Sequence, residues 1–242
     1  MKLTVIIPIY NEASTLGILL ERVRNVDVDK QIIVVDDGSD GETKAELRQA
    51  ISDDIMLLTH RENQGKGTAI RTALAQADGD VVIIQDADLE YFPEDYTTLL
   101  DVYVKKGANA VYGVRDLSHR SRLMRYGNQA MTLATNILYG HNLRDMETCY
   151  KLVDRRLFQS LNLQSRRFEI EAEITAKLLR SGVQIFEAPI RYEHREEGKK
   201  LTPMDGLPTL AKLIACRTWR PEHRWDAAEE QASTSRLPGD AG

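Results

Sequence analysis

Short apolar runs alternate with longer amphipathic stretches through the first half of the chain. Leu3 to Ile9 is apolar and rich in β-branched residues, the pattern of a buried strand. Asn11 to Val26 then carries Leu16, Leu19, Leu20 and Val23 at helical spacing, with Ser14 or Thr15 placed to cap it. Gln31 to Val35, Ile55 to Thr59, Val81 to Ile84 and Ala110 to Val114 repeat the strand pattern, and Gly65 to Ala77 and Pro93 to Lys106 read as helices. Strands alternating with helices predict an α/β fold with a mainly parallel, Rossmann-like sheet covered on both faces. In such sheets ligands bind beyond the carboxyl ends of the strands. Tyr10-Asn11-Glu12, Asp36-Asp37 and Asp86-Ala87-Asp88 all fall there.

Past residue 115 the pattern changes. Ser121 to Tyr139 is helical, with an apolar stripe that includes Tyr126, Leu133 and Ile137, and Glu169 to Arg180 and Leu207 to Arg217 are further helices. Val183 to Phe186 and Ile190 to Tyr192 are strand-like. A chain of 242 residues suits one large domain, here 1–220, in two halves, 1–115 and 116–220. The polar stretch 221–242 is expected to be a disordered tail.

The net charge of −5 argues against a nucleic-acid binder, which would normally be basic. Two distant cysteines, Cys149 and Cys216, fit a reducing cytoplasm better than a disulfide scaffold. The apolar N-terminal run is short and interrupted by Pro8, so it reads as neither a signal peptide nor a membrane span. With no longer apolar run elsewhere, any membrane contact is expected to be peripheral.

Asp86-Ala87-Asp88-Leu89-Glu90 concentrates three carboxylates after an apolar strand. A divalent cation would relieve their repulsion, and oxygen ligands suit Mg²⁺ or Mn²⁺. The plainer alternative is an acidic turn before the next helix. Asp36-Asp37-Gly38-Ser39 is either a turn or a pair of acceptors for a base or ribose. Asn63-Gln64-Gly65-Lys66-Gly67 resembles a phosphate loop without the Walker spacing, so a tight turn competes with a phosphate role. Arg115, Arg120, Arg122 and Arg125, with Arg195, Lys199 and Lys200, are either solvated charges or grips for phosphate groups. Cys149 has neither a CxxC partner nor a nearby histidine, which argues against a nucleophilic role, and the histidines lack metal-ligand spacing.

These segments resemble family 2 glycosyltransferases of the GT-A fold, and among them polyprenyl-phosphate glycosyltransferases of the dolichol-phosphate mannose synthase type. The resemblance runs over roughly residues 3 to 217. It is carried by Val5 to Glu12, Val34 to Ser39, Asn63 to Gly67 and Asp86 to Leu89, and more weakly by Arg144 to Tyr150, Glu187 to Ile190 and Arg195 to Lys200. It implies that 1–115 binds a nucleoside diphosphate sugar and 116–220 the acceptor. Pro8, Tyr10, Glu12, Asp36, Asp37 and Asp86 would hold the nucleoside, and Arg195 and Lys200 would close over the diphosphate. Asp88 and Glu90 would hold Mg²⁺ or Mn²⁺. Arg115, Arg122 and Arg125 would join Asp88 in the catalytic set by meeting the acceptor phosphate and the diphosphate. Glu90 departs from the glutamine usual in the mannose synthases, and Thr148-Cys149-Tyr150 departs from a Thr-Ser-Gly-like motif.

The implied reaction is an inverting, metal-dependent transfer of a hexose to a dolichyl or undecaprenyl phosphate, in the cytoplasm or at the cytoplasmic membrane face. A phosphate acceptor is already anionic and needs no strong base. Two alternatives stand beside it. In one, the acceptor is a hydroxyl of a saccharide or small molecule, with Glu147 or Asp145 as base. In the other, the protein binds a nucleotide sugar without turnover.

Overall fold

The computed structural model describes residues 1–118, 120–195, 206–222 and 225. Seven strands form one sheet in the order β3-β2-β1-β4-β6-β5-β7. They are β1 (Leu3–Ile9), β2 (Lys30–Asp36), β3 (Ile55–Thr59), β4 (Val81–Ile84), β5 (Ala110–Arg115), β6 (Lys151–Asp154) and β7 (Ile185–Ile190). β1, β2, β3 and β4 are mutually parallel, as are β5 and β7, while β6 runs antiparallel between β4 and β5. The parallel strands are covered by α1 (Ala13–Asn25), α2 (Gly41–Ala50), α3 (Lys66–Leu74) and α4 (Tyr96–Lys106). The second half adds α5 (Arg122–Tyr139), α6 (Arg155–Ser160), α7 (Ile170–Arg180) and α8 (Gly206–Cys216).

The core follows from the periodicity. Leu16, Leu19, Leu20 and Val23 of α1 are each 0% exposed, and burying such side chains contributes roughly 1.5–3 kcal/mol apiece. β1 and β4, in the middle of the sheet, are almost wholly buried, which is why they read as continuous apolar runs rather than alternating ones. In the parallel register Ile9 lies beside Asp36 and Asp36 beside Thr59, so the polar residues that follow these strands emerge at one edge.

Several local expectations are corrected. Glu12, not Ser14 or Thr15, occupies the cap position of α1, and the Thr15 hydroxyl instead donates to the Glu12 carbonyl at 3.3 Å. α2, β6 and α6 were not anticipated. Val183–Phe186 and Ile190–Tyr192 are not two strands: one strand spans Ile185–Ile190, and Tyr192 makes an isolated bridge to Tyr91. The boundary at 220 falls short of the packed chain, because Trp219 and Trp225 pack on the core and the Trp225 amide donates to the Ser181 carbonyl at 3.1 Å. The rest of the 221–242 stretch, apart from Pro221 and Glu222, lies outside the described residues. No helix among the described residues is long and apolar enough to cross a membrane.

Candidate active site

A cavity of about 920 Å³ opens at the carboxyl ends of the strands. Pro8, Tyr10 and Glu12 reach it from the end of β1, Asp37 from β2, and Asp86, Asp88 and Glu90 from β4. Arg115 closes it from β5, and Met124, Asn128 and Met131 of α5 form the opposite wall with Glu147 and Thr209. Two non-glycine residues at these strand ends adopt left-handed backbone, Asn11 (φ 53°) and Leu89 (φ 63°). Asparagine tolerates that region, whereas leucine there is unusual. The turn at Leu89 separates the directions of the flanking carboxylates.

Asp88 is the least compensated of those carboxylates. Burial, then the neighbouring charges of Asp86 and Glu90, push its carboxyl up to about 7. One oxygen accepts from the Glu90 amide at 3.1 Å, and among the described residues no lysine, arginine or histidine pairs with it. Asp86 is paired with Lys66 at 2.7 Å. Glu90 lines the same cavity and is already partnered. Its oxygens take the Tyr192 hydroxyl at 2.5 Å and the Arg195 amide at 3.0 Å, with His194 Nδ1 at 3.1 Å. In this arrangement Glu90 fastens the 192–195 segment beside the cavity.

Among the described residues no three histidine, cysteine, aspartate or glutamate side chains converge as a ready-made metal site. Mg²⁺ is commonly held by one or two carboxylates and completed by substrate phosphates rather than by a full protein cage. A buried carboxylate that lacks a counter-ion fits this role, and Asp88 is the side chain that would supply it.

Asp37 lines the cavity, yet its oxygens are occupied. They accept from the Gln64 amide (2.9 Å) and the Gly65 amide (2.7 Å), and His60 Nδ1 lies at 2.6 Å. His60 is held in turn by Thr72 at 3.0 Å. Asp37 therefore anchors the 63–65 loop to the sheet. Asp36 is 1% exposed, accepts from the Ser39 amide at 2.9 Å and lies off the cavity wall. Arg195 reaches Glu12 at 2.9 Å, bridging the β1 end of the cavity. Lys199 and Lys200 lie outside the described residues.

Arg115 is buried. It binds Asp145 through Nε (2.7 Å) and Nη2 (2.9 Å), and Asn128 through Nη2 at 2.8 Å. Burial alone would raise the Asp145 carboxyl, but Arg115 outweighs it and holds the group below the usual carboxylate range. Asp145 is therefore locked as an anion in this pair. Glu147 also lines the cavity, and there burial dominates and pushes its carboxyl up. Arg122 and Arg125 are not on the cavity wall. Arg122 is exposed at the start of α5, and Arg125 lies 5.7 Å over the Tyr126 ring. Arg120 is the arginine of that segment that lines the cavity, close to Glu90 and over the Tyr192 ring. Cys149 is buried, its thiol pushed up by burial and donating to the Ile84 carbonyl at 3.4 Å, which agrees with a non-nucleophilic role.

Lys66 and Glu171 also line the cavity. Lys66 belongs to the Asn63–Gly67 motif, which reads as a turn or a phosphate loop, and Glu171 lies in the helix expected over Glu169 to Arg180. Nothing in their local spacing pairs them; the fold does.

The sequence model described as glycosyl transferase family 2 matches residues 4–162. An undecaprenyl-phosphate 4-deoxy-4-formamido-L-arabinose transferase from Pseudomonas fluorescens is 29% identical over 226 residues, which cover 90% of this chain and 65% of that protein. The chain thus spans just under two thirds of that relative's length. A polyprenol monophosphomannose synthase from Mycolicibacterium smegmatis is 26% identical over 241 residues, covering 93% and 89%. In structure, glucosyl-3-phosphoglycerate synthase from Mycobacterium tuberculosis, solved with Mn²⁺, UDP and glucosyl-3-phosphoglycerate, superposes with a TM-score of 0.70 at 19% identity, covering 91% of this chain and 81% of that one. The fold is GT-A, the carboxylates sit at the strand ends, and the chain belongs to glycosyl transferase family 2.

Proposed function

We propose that the protein transfers a hexosyl group from a nucleoside diphosphate sugar to a polyprenyl phosphate, with inversion at the anomeric carbon and with Mg²⁺ or Mn²⁺. The observation that carries the donor side is the Asp88 carboxyl, buried beside Asp86 and Glu90 and paired with no cation among the described residues, in a cavity at the strand ends. When bound, the cation neutralises charge on the departing diphosphate. Asp88 orients it, Arg195 and Lys200 lie on the segment that would close over the phosphates, and Pro8, Tyr10 and Glu12 form the nucleoside end. The acceptor oxygen attacks the anomeric carbon as the bond to the diphosphate breaks.

The acceptor side rests on the relatives' names and on the face beside the cavity mouth. α5 and α8 pack together, with the Tyr139 hydroxyl donating to the Leu213 carbonyl at 2.6 Å. Along their outer sides Tyr126, Leu133 and Ile137 of α5 and Leu207 and Ile214 of α8 are exposed. Neither helix contains an acidic residue, and Arg122 stands exposed at the start of α5. An apolar face with basic residues and no acids suits peripheral contact with an anionic bilayer surface. Arg122 and Arg125 fit this surface better than the transfer site itself.

A hydroxyl acceptor is the second reading, favoured by the raised Glu147 carboxyl on the cavity wall, since Asp145 is locked by Arg115. Glu147→Gln separates the two. With a phosphate acceptor the variant should keep transfer to undecaprenyl phosphate within about threefold of wild type, because no proton need be removed. A general base is worth roughly 10²–10⁴ in rate, and a loss on that scale would favour the hydroxyl reading.

A further inference from the structure

The two edges of the sheet are built differently. β7 carries Pro189, and its Glu187 side chain accepts from the Arg144 and Asp145 amides, which ties the 144–145 segment to it. β3, at the opposite edge, pairs with β2 alone among the described residues. Its sequence, Ile55-Met56-Leu57-Leu58-Thr59, contains no lysine, no proline and no charged residue, the side chains that usually keep an open edge from pairing. Met56 and Leu57 are 40% and 38% exposed. β3 is thus an apolar strand of ordinary length with an open edge.

The backbone of that edge is set up to pair. Amides and carbonyls alternate sides along a strand. The His60 amide donates inward to the Asp36 carbonyl at 2.8 Å. The alternate positions, Leu57 and Thr59, therefore turn their amides and carbonyls outward, away from β2. Ile55 shares their side. Its amide donates to the Ser52 carbonyl at 2.9 Å, which leaves its carbonyl for an outside partner. The flanks carry opposite charge. Asp54 is engaged by Arg24 at 3.1 Å, while Asp53 before the strand and Arg61 after it both stand exposed.

We propose that β3 docks a second copy of this chain, antiparallel about a twofold axis at Leu57, so that one sheet runs through both protomers. The inference is independent of the transfer reaction proposed above. The axis sets Leu57 opposite its own counterpart, and the two exchange amide and carbonyl. It also sets the Thr59 amide of each copy against the Ile55 carbonyl of the other. These are the outward-turned groups. The same operation brings Asp53 of each copy beside Arg61 of the other, an attractive pair at both ends of the strand. A parallel pairing in register would set Asp53 against Asp53 and Arg61 against Arg61, which repels. Charge therefore selects the antiparallel arrangement, and such a self-complementary contact closes at two copies.

The test is sedimentation velocity of the full chain at rising concentration. The proteins are wild type, Leu57→Lys, Asp53→Arg, Arg61→Asp and the double variant Asp53→Arg/Arg61→Asp. Wild type should pass from monomer to dimer as concentration rises. Leu57→Lys should stay monomeric, because a lysine on an open edge opposes pairing. Each single reversal sets like charges together at two symmetry-related contacts and should weaken the dimer about tenfold. The double variant restores opposite signs and should dimerise as the wild type does, a rescue that misfolding cannot imitate. A wild type that is monomeric at every concentration overturns the proposal and leaves the edge for an extended segment of another protein. A dimer that survives Leu57→Lys uses another surface and overturns it equally. Single reversals that have no effect, or that their combination does not rescue, overturn the antiparallel register.

Discussion

Asp88→Ala is expected to reduce glycosyl transfer by roughly two to three orders of magnitude, the usual cost of removing one electrostatic stabiliser of a departing anion. Chelation of the wild type should produce a similar loss, restored by Mn²⁺ or Mg²⁺. The same carboxyl makes a stability prediction whose sign follows from linkage. Its value in the folded protein is raised to about 7, against roughly 3.9 in an unfolded chain. The folded state therefore holds the proton more tightly. The associated stability is fully present below about pH 4 and is lost as pH rises through about 7. Asp88→Asn stays neutral throughout. In metal-free protein, the melting temperature of Asp88→Asn relative to wild type should climb between pH 4 and pH 8. A flat difference across that range, together with full activity of Asp88→Ala, would remove Asp88 from the site.

The largest effect on stability is expected from Asp145→Ala. Arg115 and Asp145 have side chains only 7% and 2% exposed. Breaking a buried pair by removing one partner costs about 3–5 kcal/mol, because the remaining charge is left without compensation. Asn128 of α5 bonds both partners, and Glu187 of β7 accepts from the Arg144 and Asp145 amides, so the pair joins β5, α5 and β7 at the cavity rim. Urea unfolding of the variant should show a midpoint shift equivalent to several kcal/mol. A shift below about 1 kcal/mol would mean that water reaches the pair and that its role in shaping the rim is minor.

The first half of the fold was legible because its strands are buried on both faces. Val5 to Ile7, Ile32 to Val35 and Val81 to Ile84 announce themselves as apolar runs, and the polar residues after them must emerge at one edge. β6 was hidden by Lys151. A lysine at the start of a short run reads as solvated, and only the partnership with Glu171, distant in sequence, makes it a core residue. α2 was hidden for a different reason. Gly41 to Ala50 buries little beyond Thr43 and Leu47, so its apolar periodicity is weak, although Asp40 caps it by accepting from the Thr43 amide. The site shows the same division. Which residues gather at the strand ends follows from sequence position, as for Tyr10, Glu12, Asp37 and Asp88. What each oxygen is already doing does not: Asp37 anchors a loop, Glu90 fastens Arg195 and its neighbours, and Arg115 is held by Asp145.

The central claim is that this fold delivers a sugar to a lipid-linked phosphate. It is tested most directly by incubating the protein with radiolabelled nucleotide sugars, Mn²⁺ and anionic vesicles containing undecaprenyl phosphate, and counting label in the lipid phase. Wild type should label the lipid, and Leu133→Asp/Ile137→Asp should lose labelling in vesicles but regain it when the acceptor is dispersed in detergent. Label that appears on a soluble saccharide and never on the lipid would contradict the account.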